Sequence, residues 1–142
     1  MQYSKKGLAL TEGFESCRLT AYQDVKGVWT IGYGHTGPEV VAGLVWTQDQ
    51  ADTALVCDTQ HAVNTVNRLV TAPMTQGVFD SLVDFVFNVG SGNFAGSTLL
   101  KLLNSGDTES AAQQFERWDY AGGVQIAGLL RRREAEANEF TS

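Results

Sequence analysis

The chain has 142 residues, 43% of them hydrophobic and 18% charged. That is the composition of one globular domain able to bury a core without staples, not of a disordered chain. No apolar run reaches about 18 residues, which excludes a transmembrane helix. The apolar stretch after Lys5 and Lys6 ends at Thr11-Glu12, too short for a signal peptide, so synthesis in the cytosol is expected. The net charge of −6 argues against nucleic acid as a partner. Cys17 and Cys57 lie forty positions apart, which is neither CxxC nor metal-ligand spacing. They read as reduced, buried small side chains, and no residue pattern calls for a metal or a cofactor.

In chain order, Ser4 is a plausible N-cap of a first helix to about Glu15, with Leu10, Phe14 and Cys17 at helical spacing. Leu19 to Gly32 is rich in Thr, Tyr, Val, Trp and Ile and breaks at Val25-Lys26-Gly27, the pattern of a β-hairpin. A third extended piece is expected near Val40 to Leu44, after the Gly37-Pro38 turn. Thr47 and Gln50 form a capping box that opens a long helix over about 48–70, with Ala51, Leu55, Val56, Ala62, Val63, Val66 and Leu69 as its apolar positions. Helices are predicted over Thr75 to Val89, Gly96 to Leu103, Thr108 to Trp118 and Ala127 to Phe140. Breaks fall at residues 90–92, 104–106 and 121–123. The fold class is α+β: a small strand-bearing lobe over about 1–47 and a helical lobe over 71–142, joined by the long helix, with a cleft where they meet.

Chemistry concentrates between Phe14 and Gly37. Glu15 is followed nine positions later by Asp24, and six further on by Thr30. Two carboxyl groups and a hydroxyl are what water needs to cleave a glycosidic bond. One carboxyl must be protonated, the other ionised to help a water or to attack the sugar. For Glu15 to be the acid near neutral pH, its pKa must rise from about 4.3, which needs a shielded site. Glu12, also followed by glycine, stands twelve residues before Asp24 and is assigned to the surface. Asp24 also suits the opening of a turn. A two-residue hairpin loop would put Asp24 and Thr30 on opposite faces. A loop over residues 25–27 pairs 24 with 28 and 22 with 30, and puts Asp24, Tyr22, Val28 and Thr30 on one face.

This window, with its TIGYGH-like strand, resembles the phage-type lysozymes, endolysins of glycoside hydrolase family 24. Further similar segments are Phe85 to Gly90, Phe94 to Leu99 and Gly128 to Glu136, so the likeness runs from about residue 8 to the C-terminus. The resemblance implies a lysozyme-like fold and a muramidase that cuts the β-1,4 bond between N-acetylmuramic acid and N-acetylglucosamine in peptidoglycan, lysing the host. It implies Glu15 as the acid, and Asp24 and Thr30 as holders of the attacking water, by inversion. Sequence alone leaves retention open; carboxyl groups about 6.5–9.5 Å apart would leave room for a water, and about 5–5.5 Å would suit a nucleophile.

Gly32 and Gly34 would let a polysaccharide approach the main chain. His35 is read as a structural hydrogen bond or ion pair, with substrate contact second, and His61 as a surface residue. By matched position, Asn88 would hydrogen-bond a sugar N-acetyl or hydroxyl group, or else end a helix with Gly90. Phe87, Trp29 and Trp118 are read as core. Arg131 to Arg133 form a solvated helix face, partly ion-paired with acids of the small lobe. The missing signal-anchor segment implies release through a separate holin. The absence of a wall-binding domain fits a Gram-negative host with a thin wall met from inside, and a monomer is the default. The alternatives are a lytic transglycosylase on the same bond, against which Asp24 and Thr30 count, and a non-catalytic wall-binding or lysis-regulating protein.

Overall fold

The structure, a computed structural model, describes residues 1–142. Helix α1 (Lys5–Phe14) starts as expected, with the Gly7 N–H donating to Ser4 Oγ at 3.0 Å. Strands β1 (Arg18–Gln23) and β2 (Trp29–Gly32) pair antiparallel, with Tyr22 opposite Thr30. The Asp24 N–H donates to the Val28 carbonyl at 2.9 Å, so the loop is the odd one, residues 25–27. The register shifts between Arg18 and Tyr22, away from that loop.

The third strand is elsewhere than expected. β3 (His35–Thr36) pairs with β2 through Ile31–His35 and Thr30–Thr36, making a sheet of order β1-β2-β3. Gly32 and Gly34, with φ of 66° and 78°, reverse the chain around Tyr33. Gly-Tyr-Gly is therefore a turn, and the strand returns at once. Residues 40–44 form no strand; Val45 makes one isolated bridge to Thr20.

Helix α2 (Gln48–Leu69) has its full capping box: the Gln50 N–H donates to Thr47 Oγ1 at 3.2 Å and the Thr47 N–H to Gln50 Oε1 at 2.8 Å. Ala51, Leu55, Ala62, Val63 and Val66 are buried, but Val56 is 50% exposed, since Leu55 beside it takes the inward direction. Cys57, next along, is also exposed and Cys17 is only half-buried; both are free thiols, and the expected burial fails for both.

Helix α3 (Gln76–Val89) runs from a Thr75 cap to Gly90, whose φ of 96° ends it. A short helix α4 (Ser91–Ala95) follows where a break was expected. α5 (Thr98–Asn104) starts later than Gly96, because Ser97 Oγ caps it by accepting the Leu100 N–H. α6 (Thr108–Gln113) stops early and passes into a 3-10 turn, Phe115–Trp118. Strands β4 (Tyr120–Ala121) and β5 (Val124–Gln125) form a hairpin about Gly122 and Gly123, both at positive φ, so the glycines read as a plain break are a tight turn. α7 (Ala127–Phe140) closes the chain.

The fold is α+β, in two compact units: residues 11–60, and residues 1–10 with 61–142. The first ten residues thus belong with the helices, not with the strands as the expected lobe over 1–47 had it. Ser4 donates to the buried Asp80 through its N–H and its hydroxyl, and Gln76 Nε2 donates to the Gln2 carbonyl. Helix α2 contributes to both units.

In the sheet unit, the His35 ring lies 5.3 Å from the Trp46 ring and between two carboxylates. Nδ1 is 2.7 Å from Asp58 Oδ2, and Nε2 is 2.6 Å from Glu39 Oε1. Burial by itself would lower the imidazole's pKa; the bonds to Glu39 and Asp58 outweigh it and raise the pKa above 6.5. The bond to His35 holds the Glu39 carboxyl below its ordinary value.

In the helical unit, Phe85 is fully buried and meets Phe94, Phe115 and Trp118 edge-on at 6.3, 5.3 and 5.7 Å. The arginine tract corrects its sequence reading. Arg131 is exposed, but Arg132 and Arg133 are buried, and their partners lie within this unit. Arg132 Nε and Nη2 grip the buried Asp84 bidentately at 3.0 and 2.8 Å. Arg133 Nη2 donates to Asn88 Oδ1 at 2.8 Å and Glu136 Oε2 at 3.1 Å, and its guanidinium lies 5.0 Å from the Phe85 ring centre. Its Nε is 2.6 Å from Glu136 Oε1 without pointing at it. Burial pushes the Glu136 carboxyl well up, the neighbouring Asp84 adds to this, and burial lowers the Arg133 guanidinium. The tract reads as solvated because its counter-charge, Asp84, is distant in sequence.

Removing one member of a buried pair strands the other. Arg132→Met is expected to lower unfolding free energy by about 3–5 kcal/mol in urea, against about 1 kcal/mol for loss of the α2 cap in Thr47→Ala. Comparable losses would mean that solvent reaches Asp84. His35 makes stability pH-dependent. A raised histidine pKa stabilises the fold below the unfolded value near 6.5, and this contribution is lost as pH rises through the folded value. The lowered Glu39 contributes above its ordinary 4.5, and loses that contribution as pH falls. The urea midpoint of the wild type should exceed that of His35→Gln most between about pH 4.5 and 6.5, and the gap should narrow above. A gap that widens above pH 7 would contradict the charged imidazole.

Candidate active site

Glu15 lies just past the end of α1, half-buried, its N–H donating to the Thr11 carbonyl at 2.9 Å. Its Oε2 lies 3.6 Å from where a Cβ on Gly34 would stand. The β2–β3 turn therefore borders this carboxyl, and a side chain at Gly34, strained anyway by the positive φ, would crowd it. Glu12, assigned to the surface, is half-buried instead.

Asp24 opens the β1–β2 loop and is exposed. Its Oδ1 accepts the Lys26 N–H at 2.8 Å and the Val28 N–H at 2.9 Å, an Asx turn that fixes the carboxylate. Oδ2 accepts no hydrogen bond from the chain, so one oxygen anchors and the other is open. Thr30 is 4% exposed, on the central strand, and its Oγ1 donates to the Val28 carbonyl at 3.0 Å. With its proton so used, the hydroxyl oxygen is left as an acceptor. Val28 thus orients both groups: its N–H holds Asp24, and its carbonyl holds Thr30. Tyr22 stands opposite Thr30 on the same face, with the Arg18 guanidinium 4.4 Å from its ring centre. This arrangement can hold a polarised water beside a fixed carboxylate, with a half-buried carboxyl on the same unit.

The other expected site residues divide. Gly34 lies at Glu15. Gly32 is buried, and a Cβ there would stand 3.0 Å from the Trp46 ring and 3.4 Å from Ala51 Cβ, so packing by itself calls for this glycine. His35 commits both ring nitrogens to Asp58 and Glu39, which makes it structural. Trp29 is only half-buried, and Phe87 packs partly against the core. His61 is exposed but bonds the Ser91 hydroxyl at 3.0 Å.

Asn88 belongs to the helical unit. It is exposed, accepts from Arg133, and lines a cavity of about 320 Å³ with Val89, Asn93, Trp118, Tyr120 and Leu129. Sequence reasoning passed over Asn93 and Tyr120 and placed Trp118 in the core. Trp118 does pack on Phe85, but it also walls this cavity. Asp58, 23 residues from His35, gave no local signal, whereas the i,i+4 spacing of His35 and Glu39 could have been noticed.

Comparison with known proteins identifies a family. The Phage lysozyme family model matches residues 12–136. An endolysin of Bacillus phage PZA is 43% identical over all of this chain, which spans only 56% of that relative's length. An endolysin of Acyrthosiphon pisum secondary endosymbiont phage 1 is 40% identical, with 100% of this chain and 99% of the relative covered. Among solved structures, the muramidase domain of SpmX from Asticaccaulis excentricus superposes with a TM-score of 0.92 at 38% identity, covering 99% of this chain and 98% of that one. Family model, full-length identity and fold agree: this chain belongs to the phage lysozyme family.

Proposed function

We propose that the chain is a muramidase, hydrolysing the β-1,4 bond between N-acetylmuramic acid and N-acetylglucosamine in peptidoglycan, and that it lyses a host cell at the end of a phage cycle. The observation that carries the reading is the Val28 clasp, which puts an anchored carboxylate and a hydroxyl acceptor on one face of the hairpin. Glu15 protonates the leaving oxygen. The free oxygen of Asp24 and the hydroxyl oxygen of Thr30 accept from the attacking water, aligning its lone pair on the anomeric carbon. Inversion is the outcome that a held water gives. No cofactor enters, because side chains fill both proton-transfer roles. The 142 residues act as one catalytic domain and as a monomer. No helix is long and apolar enough to cross a membrane, and access to the wall through a separate holin is part of the proposal.

Clearing of purified peptidoglycan by wild type and Glu15→Gln tests the acid. The variant should fold and lose about 10²–10⁴-fold in rate. Asp24→Asn and Thr30→Val should also be impaired while keeping the melting temperature close to that of the wild type. Each cut should release a new reducing end. Products ending in an anhydro sugar would replace hydrolysis with transglycosylation, and equal clearing by Glu15→Gln would move the acid elsewhere.

A further inference from the structure

Strand β1 leaves its ladder midway. Arg18 opposes Gly32 and Tyr22 opposes Thr30, so residues 19–21 stand against Ile31 alone. The two extra residues arch outward onto the segment 44–46. There the Ala21 N–H donates to the Leu44 carbonyl at 2.9 Å, and the Trp46 N–H to the Leu19 carbonyl at 2.8 Å. In a flat strand, residues four apart stand about 13 Å from each other. The bulge draws Arg18 and Tyr22 together, and the guanidinium lies 4.4 Å from the Tyr22 ring centre. Residues 11–60 hold seven carboxyl groups, against Arg18 and Lys26 as their lysine and arginine. Arg18 nevertheless pairs with none of the seven and donates no hydrogen bond within the chain. An aromatic ring holds it instead.

A ring takes up the flat side of a guanidinium and leaves its N–H fork free. That fork matches a planar acceptor with two oxygens, a carboxylate, better than it matches a lone hydroxyl. Residues 18–22 line a groove of about 430 Å³, room for such a group and the atoms that carry it. Tyr22 stands opposite Thr30, which puts the fork on the side of the hairpin that carries the proposed water-holding groups. We infer that Arg18 is a specificity residue, binding a carboxylate carried by the sugar whose glycosidic bond is cut. The inference rests on the muramidase reading. Under it the cut falls at the anomeric carbon of a muramic acid, which bears a lactyl group that N-acetylglucosamine lacks. Its carboxyl is either free or extended by a stem peptide with carboxylates of its own. A carboxylate therefore distinguishes the two sugars, and one fixed guanidinium selects between them in a unit whose net charge repels anions. Tyr22 is the positioning residue, acting only through the guanidinium.

The test is an NMR titration that follows the Arg18 Nε–H and the Tyr22 ring signals. Three probes separate the sources: N-acetylmuramic acid, with its lactyl carboxylate; an L-alanyl-γ-D-glutamyl stem peptide, with carboxylates of its own; and N-acetylglucosamine, with none. Shifts with the first assign the groove to the lactyl group, and with the second to the stem; either supports the inference. Arg18→Gln should weaken the productive probe about three- to tenfold, an exposed charge-assisted contact being lost. Arg18→Lys keeps the charge without the fork and should recover only part of that loss. It also serves if the first variant does not fold. Equal shifts with N-acetylglucosamine, no shifts with either carboxylate probe, or full affinity in Arg18→Gln overturn the inference. Wild-type clearing of peptidoglycan, measured on the same preparation, reports on the muramidase reading separately.

Discussion

Three residues, Val25-Lys26-Gly27, separate Asp24 from Val28, and the placement of the proposed water-holding groups follows from that odd number. An odd loop puts residues 22, 24, 28 and 30 on one face of the hairpin; one residue more or fewer would turn Thr30 to the other side. The Asp24 carboxylate closes the loop that positions it, by accepting the N–H of Lys26 within it and of Val28 just after it. The same turn chemistry that folds the hairpin therefore leaves one carboxylate oxygen rigid and the other open. Thr30 draws its orientation from the same peptide unit, through the Val28 carbonyl. Local backbone hydrogen bonding thus performs the preorganisation that the proposed catalysis needs.

The helical unit uses a different device. Its core is apolar around Phe85, yet two arginines and two carboxyl groups are buried beside it. Such a network is a weak source of net stability but a strict one, since every member must be present and in register. It ties α7 to α3 through Arg132 and Asp84, and at its edge Arg133 fixes which way the Asn88 amide faces. A buried structural network is thereby connected to a surface recess, with a single hydrogen bond between them.

Charge elsewhere is used locally. His35 sits where burial and two carboxylates compete, and the carboxylates win, so its imidazole is held above its ordinary pKa in a stretch of chain without lysine or arginine from residue 27 to 67. The chain as a whole is acidic, while bacterial envelopes are anionic, so under the proposed function long-range attraction would contribute nothing to finding the wall.

What the sequence determined by itself was local. Ser4, Thr47 with Gln50, and Thr75 mark helix starts because each cap is satisfied within three or four residues. The hairpin and its face were legible because strand geometry alternates with period two. The set of Glu15, Asp24 and Thr30 was legible because the three lie close together in sequence, in a window that resembles a known family. Where the reading failed, the deciding partner was distant or glycine was misjudged. Gly-Tyr-Gly and Gly122-Gly123 are turns, because both glycines of each adopt positive φ. The arginine tract looked solvated because Asp84 stands 48 residues away. The first ten residues joined the helices through Asp80, 76 residues from Ser4. Gly32 owes its role to Trp46 and Ala51. Tertiary structure alone decided which polar groups are buried, since burial is set by what packs on a residue and not by its neighbours in the chain. It alone also decided which way the Asn88 amide points.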